Sequence, residues 1–287
     1  MTTSSTTNLR LESSAAETYA AVRAAQLAGK TIGLVPTMGA LHEGHLSLAD
    51  ASLAECDLTV VSIFVNPTQF GPGEDLASYP RVLQQDLRLL EERGCWLVFA
   101  PPVEEMYQPS HGTYVEVGSV AVPYEGASRP THFRGVSTVV MKLFQIIPAE
   151  RAYFGRKDYQ QTLVIRKMVD DLNLPVDIRV CPIVRESDGL AMSSRNTYLN
   201  PTEREQACTL WKSLQLAEKM HAEGETNTTM IAAAMKDLLA KASIEAEYIA
   251  FVAEDSVEEV AQIEGPTVIA LAAPVGKTRL IDNHTIG

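Results

Sequence analysis

Short apolar runs alternate with stretches of helical spacing along the chain as far as Pro182. Mostly apolar runs of this length are typical of strands buried on both faces, and they lie at 31–35, 58–65, 96–100, 151–154 and 176–180. Leucines three or four residues apart, from Leu83 to Leu90, mark a helix face that ends at Gly94. Further helices are predicted at 136–147 and 165–172. This alternation of strand and helix predicts an α/β fold with a doubly wound parallel sheet covered by helices on both faces.

The pattern changes after Pro182. Residues 185–196 are polar and rich in turn formers, as expected of a linker or a functional loop. The rest of the chain predicts helices at 201–222 and 228–242, then strands at 247–252, 268–272 and 278–281. We therefore predict two domains, a larger one at 1–184 and a smaller α+β domain at 185–287.

Two histidines, His42 and His45, lie between the first predicted strand and a stretch of helical spacing. A helix start presents unpaired N–H groups and the positive end of the helix dipole, which together favour anions. With Pro36 and Gly39 shaping the turn, this position favours phosphate binding. A zinc protease site requires two histidines four residues apart and a third ligand, whereas these histidines are three apart. We therefore predict no protein metal site.

Amide side chains follow the second predicted strand. Asn66 and Gln69 come just after it, at the sheet edge where open α/β proteins bind ligands. Because an amide both donates and accepts, this pair suits a ligand with hydroxyls and a carboxylate. The alternative is that Asn66-Pro67 only begins a turn.

Basic and hydroxyl groups occur at two further points. Lys157 and Asp158 follow a glycine at a predicted helix start, where the lysine can meet an anion and the aspartate can cap the helix or contact a ribose hydroxyl. The alternative is a solvated surface pair. The loop of Ser193, Ser194 and Arg195 offers two hydroxyls and a guanidinium, which binds phosphate as a planar fork.

Composition limits the class of partner. The chain has 287 residues, 46% of them hydrophobic, and a formal net charge of -12. The negative field argues against nucleic acid as the partner, whereas small anions remain possible where basic groups cluster. The four cysteines have no paired spacing, the first residues lack the features of an export signal, and no apolar run reaches membrane-span length. We expect a cytoplasmic protein with no membrane partner.

The motifs taken together resemble those of a known enzyme family. The His42-Glu43-Gly44-His45 turn is similar to the HxGH signature of the nucleotidyltransferase superfamily, whose members bind ATP on a Rossmann-like sheet. The order and separation of seven motifs make the chain similar to the pantoate–beta-alanine ligase family over residues 31–283. These motifs are PTMGALHEGH from Pro36, FVNPTQF from Phe64, YPR from Tyr79, RPTHFRGV from Arg129, YFGRKDYQQ from Tyr153, MSSRN from Met192 and TRLIDN from Thr278.

The resemblance implies a two-step reaction and a set of site residues. ATP and pantoate would form pantoyl adenylate and pyrophosphate, and beta-alanine would then displace AMP to give pantothenate. The implied catalytic residues are His42, His45, Lys157, Ser193, Ser194 and Arg195. The implied ATP contacts are Met38, His45, Gly155, Lys157, Asp158, Val184, Met192, Ser193, Ser194 and Arg195. The implied pantoate contacts are Gln69, Gln161 and Asn66.

The resemblance also implies Mg²⁺ bound mainly through the ATP phosphates, a homodimer, and closure of the smaller domain over the nucleotide. One departure is Arg156, where the family usually has glutamate before the motif lysine. Asp86 could approach the metal through water, but it lacks a matching acid at Gln85, so it is not among the predicted site residues. The alternatives are another HxGH nucleotidyltransferase with a different acceptor, and a nucleotide-binding regulator without turnover.

Overall fold

The computed structural model describes residues 9–287, so the segment considered for an export signal lies outside the described range. The chain divides into two compact units. The first unit comprises Met1–Arg156 and Val164–Pro182, and the second comprises Lys157–Leu163 and Ile183–Gly287. The predicted division at 184/185 differs in two respects, because residues 157–163 and residues 183–184 group with the second unit.

Hydrogen bonds to distant parts of the second unit explain this grouping of residues 157–163. The Asn283 side-chain amide donates to the carbonyl of Lys157 at 3.0 Å. The hydroxyl of Tyr159 donates to the carbonyl of Ser256 at 3.2 Å. A sequence division by texture cannot detect such ties, since they join residues about 100 positions apart.

The first unit is built on a six-stranded sheet. Its strands are β1 (Arg10–Glu12), β2 (Ile32–Thr37), β3 (Leu58–Ile63), β4 (Leu97–Phe99), β5 (Arg151–Gly155) and β6 (Asp177–Cys181). They pair in the order β1-β4-β3-β2-β5-β6, and every pair is parallel. Successive strands lie on one side of β2 and then on the other, so the switch point is between β2 and β5. The predicted doubly wound parallel sheet is confirmed.

Helices cover both faces of this sheet. They are α1 (Ala15–Leu27), α2 (Glu43–Glu55), α3 (Leu83–Arg93), α4 (Val103–Met106), α5 (Glu125–Ser128), α6 (His132–Ile146) and α7 (Tyr159–Asp171). Because side chains alternate along a strand, Leu34 packs in the cluster that includes α1 and α6 residues. Its neighbour Val35 packs in the opposite cluster, with residues of α2 and α3. Burial on both faces explains why the strands have nearly continuous apolar runs.

The second unit packs two helices on a small sheet. Its elements are α8 (Pro201–Ala222), α9 (Thr228–Lys241), β7 (Tyr248–Ala253), β8 (Thr267–Val275) and β9 (Thr278–Ile286). The strands pair antiparallel in the order β7-β8-β9. Asn200 and Glu203 form a capping box at the start of α8, which fixes where that helix begins. The predicted smaller α+β unit is confirmed.

No membrane-spanning helix occurs within residues 9–287, since none there combines enough length with enough apolar character.

Candidate active site

The turn between β2 and α2 has an unusual backbone. Gly39 and Ala40 both have positive φ, +81° and +50°, a region that disfavours side chains. The hydroxyl of Thr37, the last residue of β2, donates to the Ser62 carbonyl at 2.7 Å and accepts the Gly39 N–H at 3.1 Å. The start of the turn is thereby fastened to β3.

A buried acid holds the rest of this turn. Asp86 in α3 is only 1% exposed, and its carboxylate accepts the N–H of Ala40 at 2.9 Å and of Leu41 at 2.8 Å. Burial raises the pKa of Asp86, while the two amide donors act in the opposite direction. Both carboxylate oxygens therefore bond the backbone of the turn.

His42 and His45 lie together at the start of α2. His42 is the N-cap residue, and its Nδ1 accepts the Gly44 N–H at 3.1 Å. Since Nδ1 acts as an acceptor, the neutral His42 ring carries its proton on Nε2. The two ring centroids are 4.1 Å apart. The backbone N–H of His45 donates to the His42 carbonyl at 2.8 Å, so part of the N–H groups at this helix start is already occupied. The two imidazoles add further hydrogen-bonding groups at the same place.

Asn66 lies buried beneath the loop after β3, and its side chain hydrogen-bonds groups on four residues. It is 1% exposed, and its Oδ1 accepts from the Tyr107 hydroxyl at 2.9 Å and the Thr68 hydroxyl at 2.9 Å. Its Nδ2 donates to Gln69 Oε1 at 3.0 Å and to the Gly135 carbonyl at 3.1 Å. Both donors of Nδ2 are used within the protein, so Asn66 orients Gln69.

Gln69 is brought next to Met38 by this arrangement. Its Nε2 lies 3.3 Å from Met38 Sδ, while Oε1 accepts from Asn66. The amide is therefore turned with its nitrogen toward the residue that follows β2. Met38 and Gln69 are partly exposed. Their contact joins the PTMGALHEGH motif to the FVNPTQF motif.

A buried histidine fixes the backbone at Gln69. His132 Nδ1 lies 3.0 Å from the Gln69 carbonyl, which can only accept, so Nδ1 carries the proton. Its Nε2 then accepts from Arg129 at 3.2 Å, and Arg129 binds both carboxylate oxygens of Glu74. Burial, followed by the charge of Arg129, lowers the pKa of His132 to about 4. The ring therefore stays neutral at physiological pH.

Gly155 and Lys157 lie in different units. Gly155 ends β5, beside the switch point of the sheet in the first unit. In the second unit, Lys157 Nζ lies 3.7 Å from the carboxylate of Asp158. Gln161 is partly exposed in the first turn of α7. A cation, an acid and an amide thus occur within five residues at the start of one helix.

The serine and arginine loop follows a tight hairpin. The Met192 N–H bonds the Val184 carbonyl at 3.0 Å, which closes this hairpin. Ser193 caps the short 3-10 helix of Ser194–Tyr198, because its hydroxyl oxygen accepts the Arg195 N–H at 3.3 Å. Ser194 is buried, whereas Ser193 and Arg195 are partly exposed. Backbone and capping hydrogen bonds therefore hold Ser193, Ser194 and Arg195 in place.

A buried ion pair braces that hairpin. Arg185 donates to both carboxylate oxygens of Asp282, at 2.6 and 2.9 Å, and the Asp282 side chain is 1% exposed. The guanidinium also lies 3.7 Å above the Trp211 ring. Arg185 reaches the Asn283 carbonyl at 3.3 Å, and the Asn283 amide donates to Lys157. Hydrogen bonds thus connect the hairpin to the Lys157 backbone.

The structure places the predicted residues in two groups. The first unit holds Met38, His42, His45, Asn66, Gln69 and Gly155, and the second holds Lys157, Asp158, Gln161, Val184, Met192, Ser193, Ser194 and Arg195. Sequence reasoning missed the supporting roles of Asp86, His132 and Asp282. The last two lie in the RPTHFRGV and TRLIDN motifs, whose polar residues were the available signal.

The described residues offer few ligands for a metal ion. Within residues 9–287, no group of three or more histidine, cysteine, aspartate or glutamate side chains is placed to hold a metal ion. The two oxygens of Asp86 already accept backbone N–H groups. The donor set therefore does not form a protein cage for Mg²⁺.

Comparisons with known proteins identify one family. A family model described as pantoate-beta-alanine ligase matches residues 10–285. The pantothenate synthetase of Roseiflexus sp. (strain RS-1) is 55% identical over 268 residues, covering 93% of this chain and 96% of that protein. The pantoate-beta-alanine ligase structure from Thermus thermophilus has a TM-score of 0.92 at 42% identity, covering 96% of this chain and 98% of that one. A Francisella tularensis pantoate-beta-alanine ligase, complexed with beta-gamma ATP and beta-alanine, has a TM-score of 0.82 at 34% identity, covering 96% and 97%.

Proposed function

This chain belongs to the pantoate-beta-alanine ligase family and joins pantoate to beta-alanine using ATP, and we propose that it does so through a pantoyl adenylate. In the first step the pantoate carboxylate attacks the α-phosphorus, and the bond to pyrophosphate breaks. In the second step the beta-alanine amine attacks the acyl carbon. AMP leaves, and the nitrogen releases its proton to solvent.

The first step depends on alignment and charge more than on a base. Because pantoate is ionised at neutral pH, its carboxylate is already a nucleophile. What remains is to hold it in line and to stabilise negative charge on the departing pyrophosphate. The proposed groups for this charge are His42 and His45, at the positive end of α2.

The capping bond of His42 is the observation that carries this proposal. Because Nδ1 accepts from Gly44, the neutral ring presents an N–H at Nε2, which suits a phosphate oxygen. A general base would need an unprotonated nitrogen facing the substrate instead. His42 is therefore proposed as a hydrogen-bond donor, and a well-placed donor of this kind can lower the barrier by about 3 kcal/mol.

The proposed role of Lys157, Ser193, Ser194 and Arg195 is to bind the β- and γ-phosphates. A lysine ammonium and a guanidinium offset the phosphate charge, and the hydroxyls donate to its oxygens. Met38, Gly155, Asp158, Val184 and Met192 are proposed to contact the rest of the nucleotide. Closure of the second unit over ATP stays a prediction, which small-angle scattering with and without ATP can test.

Pantoate is proposed to bind through amides. Gln69 and Gln161 can donate to the carboxylate and accept from the hydroxyls. Asn66, whose Nδ2 donors are used inside the protein, is proposed to act by holding Gln69. Mg²⁺, when present, would be held by the nucleotide's phosphates and neutralise part of their charge. A homodimer and a cytoplasmic location stay predictions.

Pantoate-dependent exchange of pyrophosphate into ATP isolates the first step. We expect His42→Ala and Lys157→Ala each to lower this exchange about 100- to 1,000-fold with the fold intact. Matched controls are His221→Ala and Lys167→Ala, which remove the same side chains at positions outside the proposed site. Lys167 is half exposed and paired with Asp171. Near-normal exchange by either site variant would refute the role assigned to it.

Turnover distinguishes the two alternatives. With ATP, pantoate and beta-alanine together, this chain should release AMP and pantothenate in equal amounts. A nucleotidyltransferase with another acceptor would give no pantothenate, and a binding regulator would release no AMP. Neither alternative is favoured by relatives whose names specify this ligase.

A further inference from the structure

We propose that Asp86 is a positioning residue for the adenylate-forming step, because its buried carboxylate holds the left-handed turn that places His42 and His45. The inference rests on the proposed role of those histidines. Asp86 lies in α3, 44 positions from His42 along the chain, so the contact is made only in the folded protein.

The turn needs an external partner to keep its shape. Ala40 has φ +50°, where a Cβ is disfavoured, and an unrestrained chain would relax toward negative φ. Asp86 supplies two charge-assisted acceptors to consecutive amides, Ala40 and Leu41. Two such bonds from one carboxylate fix both the position and the rotation of the turn.

The position of the turn sets the position of the imidazoles. Leu41 directly precedes His42, whose capping bond to Gly44 defines the first turn of α2. A shift at Ala40 therefore passes directly into the His42 ring and, through the 4.1 Å ring contact, to His45. Displacing a catalytic group by about 1 Å is enough to lower a rate about 100-fold.

The carboxylate acts on geometry in this account, and it does not act by touching substrate. Gly39 shows how closely the acid and the turn fit: a Cβ added there would lie 3.1 Å from Asp86 Oδ2 and 2.9 Å from Ile63 Cγ2. The turn thus has no room for a side chain at Gly39 while Asp86 and Ile63 stay in place. Asp86 is 1% exposed and both of its oxygens bond backbone N–H groups, so it is not among the groups proposed to bind ATP.

Asp86→Asn is the main test, since the amide keeps the shape but can accept only one of the two backbone N–H groups. We expect the maximal rate of pantoate-dependent pyrophosphate exchange to fall about 30-fold, while the KM values change less than about threefold. The matched control is Asp50→Asn on α2, whose carboxylate is half exposed and paired with Arg93. This control should retain the parent rate.

Ala40→Gly provides the discriminating second variant. Glycine adopts positive φ readily, so the turn needs less restraint from Asp86. The double variant Ala40→Gly/Asp86→Asn should therefore regain at least about fivefold of the lost rate. A loss that glycine does not relieve, but that added Mg²⁺ does, would overturn the proposal in favour of a metal-linked role.

A spectroscopic readout separates positioning from a general loss of structure. In long-range proton–nitrogen spectra, Asp86→Asn should shift the ring signals of His42 and His45 and leave those of His221 and His284 in place. If Asp86→Asn does not fold, Gly39→Ala replaces it, because it pushes on the same contact without removing charge. A normal rate in whichever variant folds, alongside a large loss in His42→Ala, would overturn the positioning role and leave the proposed function standing. A normal rate in His42→Ala would refute both.

Discussion

Replacing Arg185 with methionine should destabilise the second unit by about 3 kcal/mol. The substitution leaves the Asp282 carboxylate buried without its two charged hydrogen bonds, at 2.6 and 2.9 Å. Removing one partner of a buried pair costs about 3–5 kcal/mol, and the cost here should lie at the lower end because Arg185 is itself 17% exposed. Methionine retains apolar contact with Trp211, so little of the stacking is lost.

Urea unfolding followed by tryptophan fluorescence measures this loss. Of the two tryptophans, Trp211 is the one in the second unit, so a Trp96→Phe background makes the signal specific. With an m-value of about 1.5 kcal/mol/M, a loss of 3 kcal/mol lowers the midpoint by about 2 M urea. Lys219→Met is the control, because its pair with Glu223 is well exposed and should contribute about 0.5 kcal/mol or less.

The loss should depend on pH with a definite sign. Burial raises the pKa of Asp282, and Arg185 opposes that rise, so its removal raises the pKa further. The folded variant then binds a proton more tightly than the unfolded chain, and protonation removes the buried charge. The deficit should be largest at pH 8 and shrink toward pH 5.

A second substitution tests the origin of the effect. Arg185→Met/Asp282→Asn removes the charge together with its partner, so it should recover more than half of the stability lost by Arg185→Met. A loss below about 1 kcal/mol in the single variant, or the same loss at both pH values, would refute the reasoning. Either result would mean that water reaches the Asp282 carboxylate.

His132 should show a neutral ring protonated at Nδ1 in nitrogen spectra between pH 5 and 8; since its folded pKa of about 4 lies below its ordinary value, the stability it contributes above about pH 6.5 should be lost as the pH falls toward 4, and a charged ring at pH 6 would contradict this. Gln69→Ala should chiefly raise the dissociation constant of pantoate, about tenfold, and Asn66→Ala should do the same through Gln69; calorimetry that finds unchanged pantoate affinity would count against both. Gly189→Ala should lower thermal stability by about 2 kcal/mol, because its φ is +91° and a Cβ would lie 2.3 Å from Trp211; an unchanged melting temperature would show that the hairpin yields.

The sheet was predictable because its strands are buried on both faces. Continuous apolar runs mark β2 and β3 whatever packs on them, and they locate the carboxyl ends where ligands bind. By contrast, α1 was not predicted. Its buried positions are Thr18, Ala21 and Val22, so it lacks the large apolar stripe that identifies a helix.

The helix α6 shows the same limit at one end. It begins at His132, earlier than the predicted residue 136, because the first turn holds the polar His132 and Arg134. His132 is polar in sequence and buried in the fold, where Gln69 and Arg129 satisfy both ring nitrogens. Local pattern cannot reveal a buried polar residue whose partners are distant.

Site residues were predictable where the elements that position them are neighbours in sequence, and not where they are distant in sequence. His42 and His45 were predictable, since strand, turn and helix are consecutive in the chain. The sequence offers Asp86 only a metal role, and the lack of a matching acid at Gln85 argues against it. The structure supplies the missing alternative, which is that a single buried carboxylate can bind backbone amides from a turn 45 positions away.

The occupied amides of that turn have a consequence for ligand design. An inhibitor built to mimic a phosphate at a helix start usually places acceptor atoms toward the backbone N–H groups of the preceding loop. Here Ala40 and Leu41 already donate to Asp86, so an acceptor aimed at them would compete with an internal carboxylate and gain little affinity. Compounds whose acceptors are directed at groups other than these two amides should make better use of the same surface.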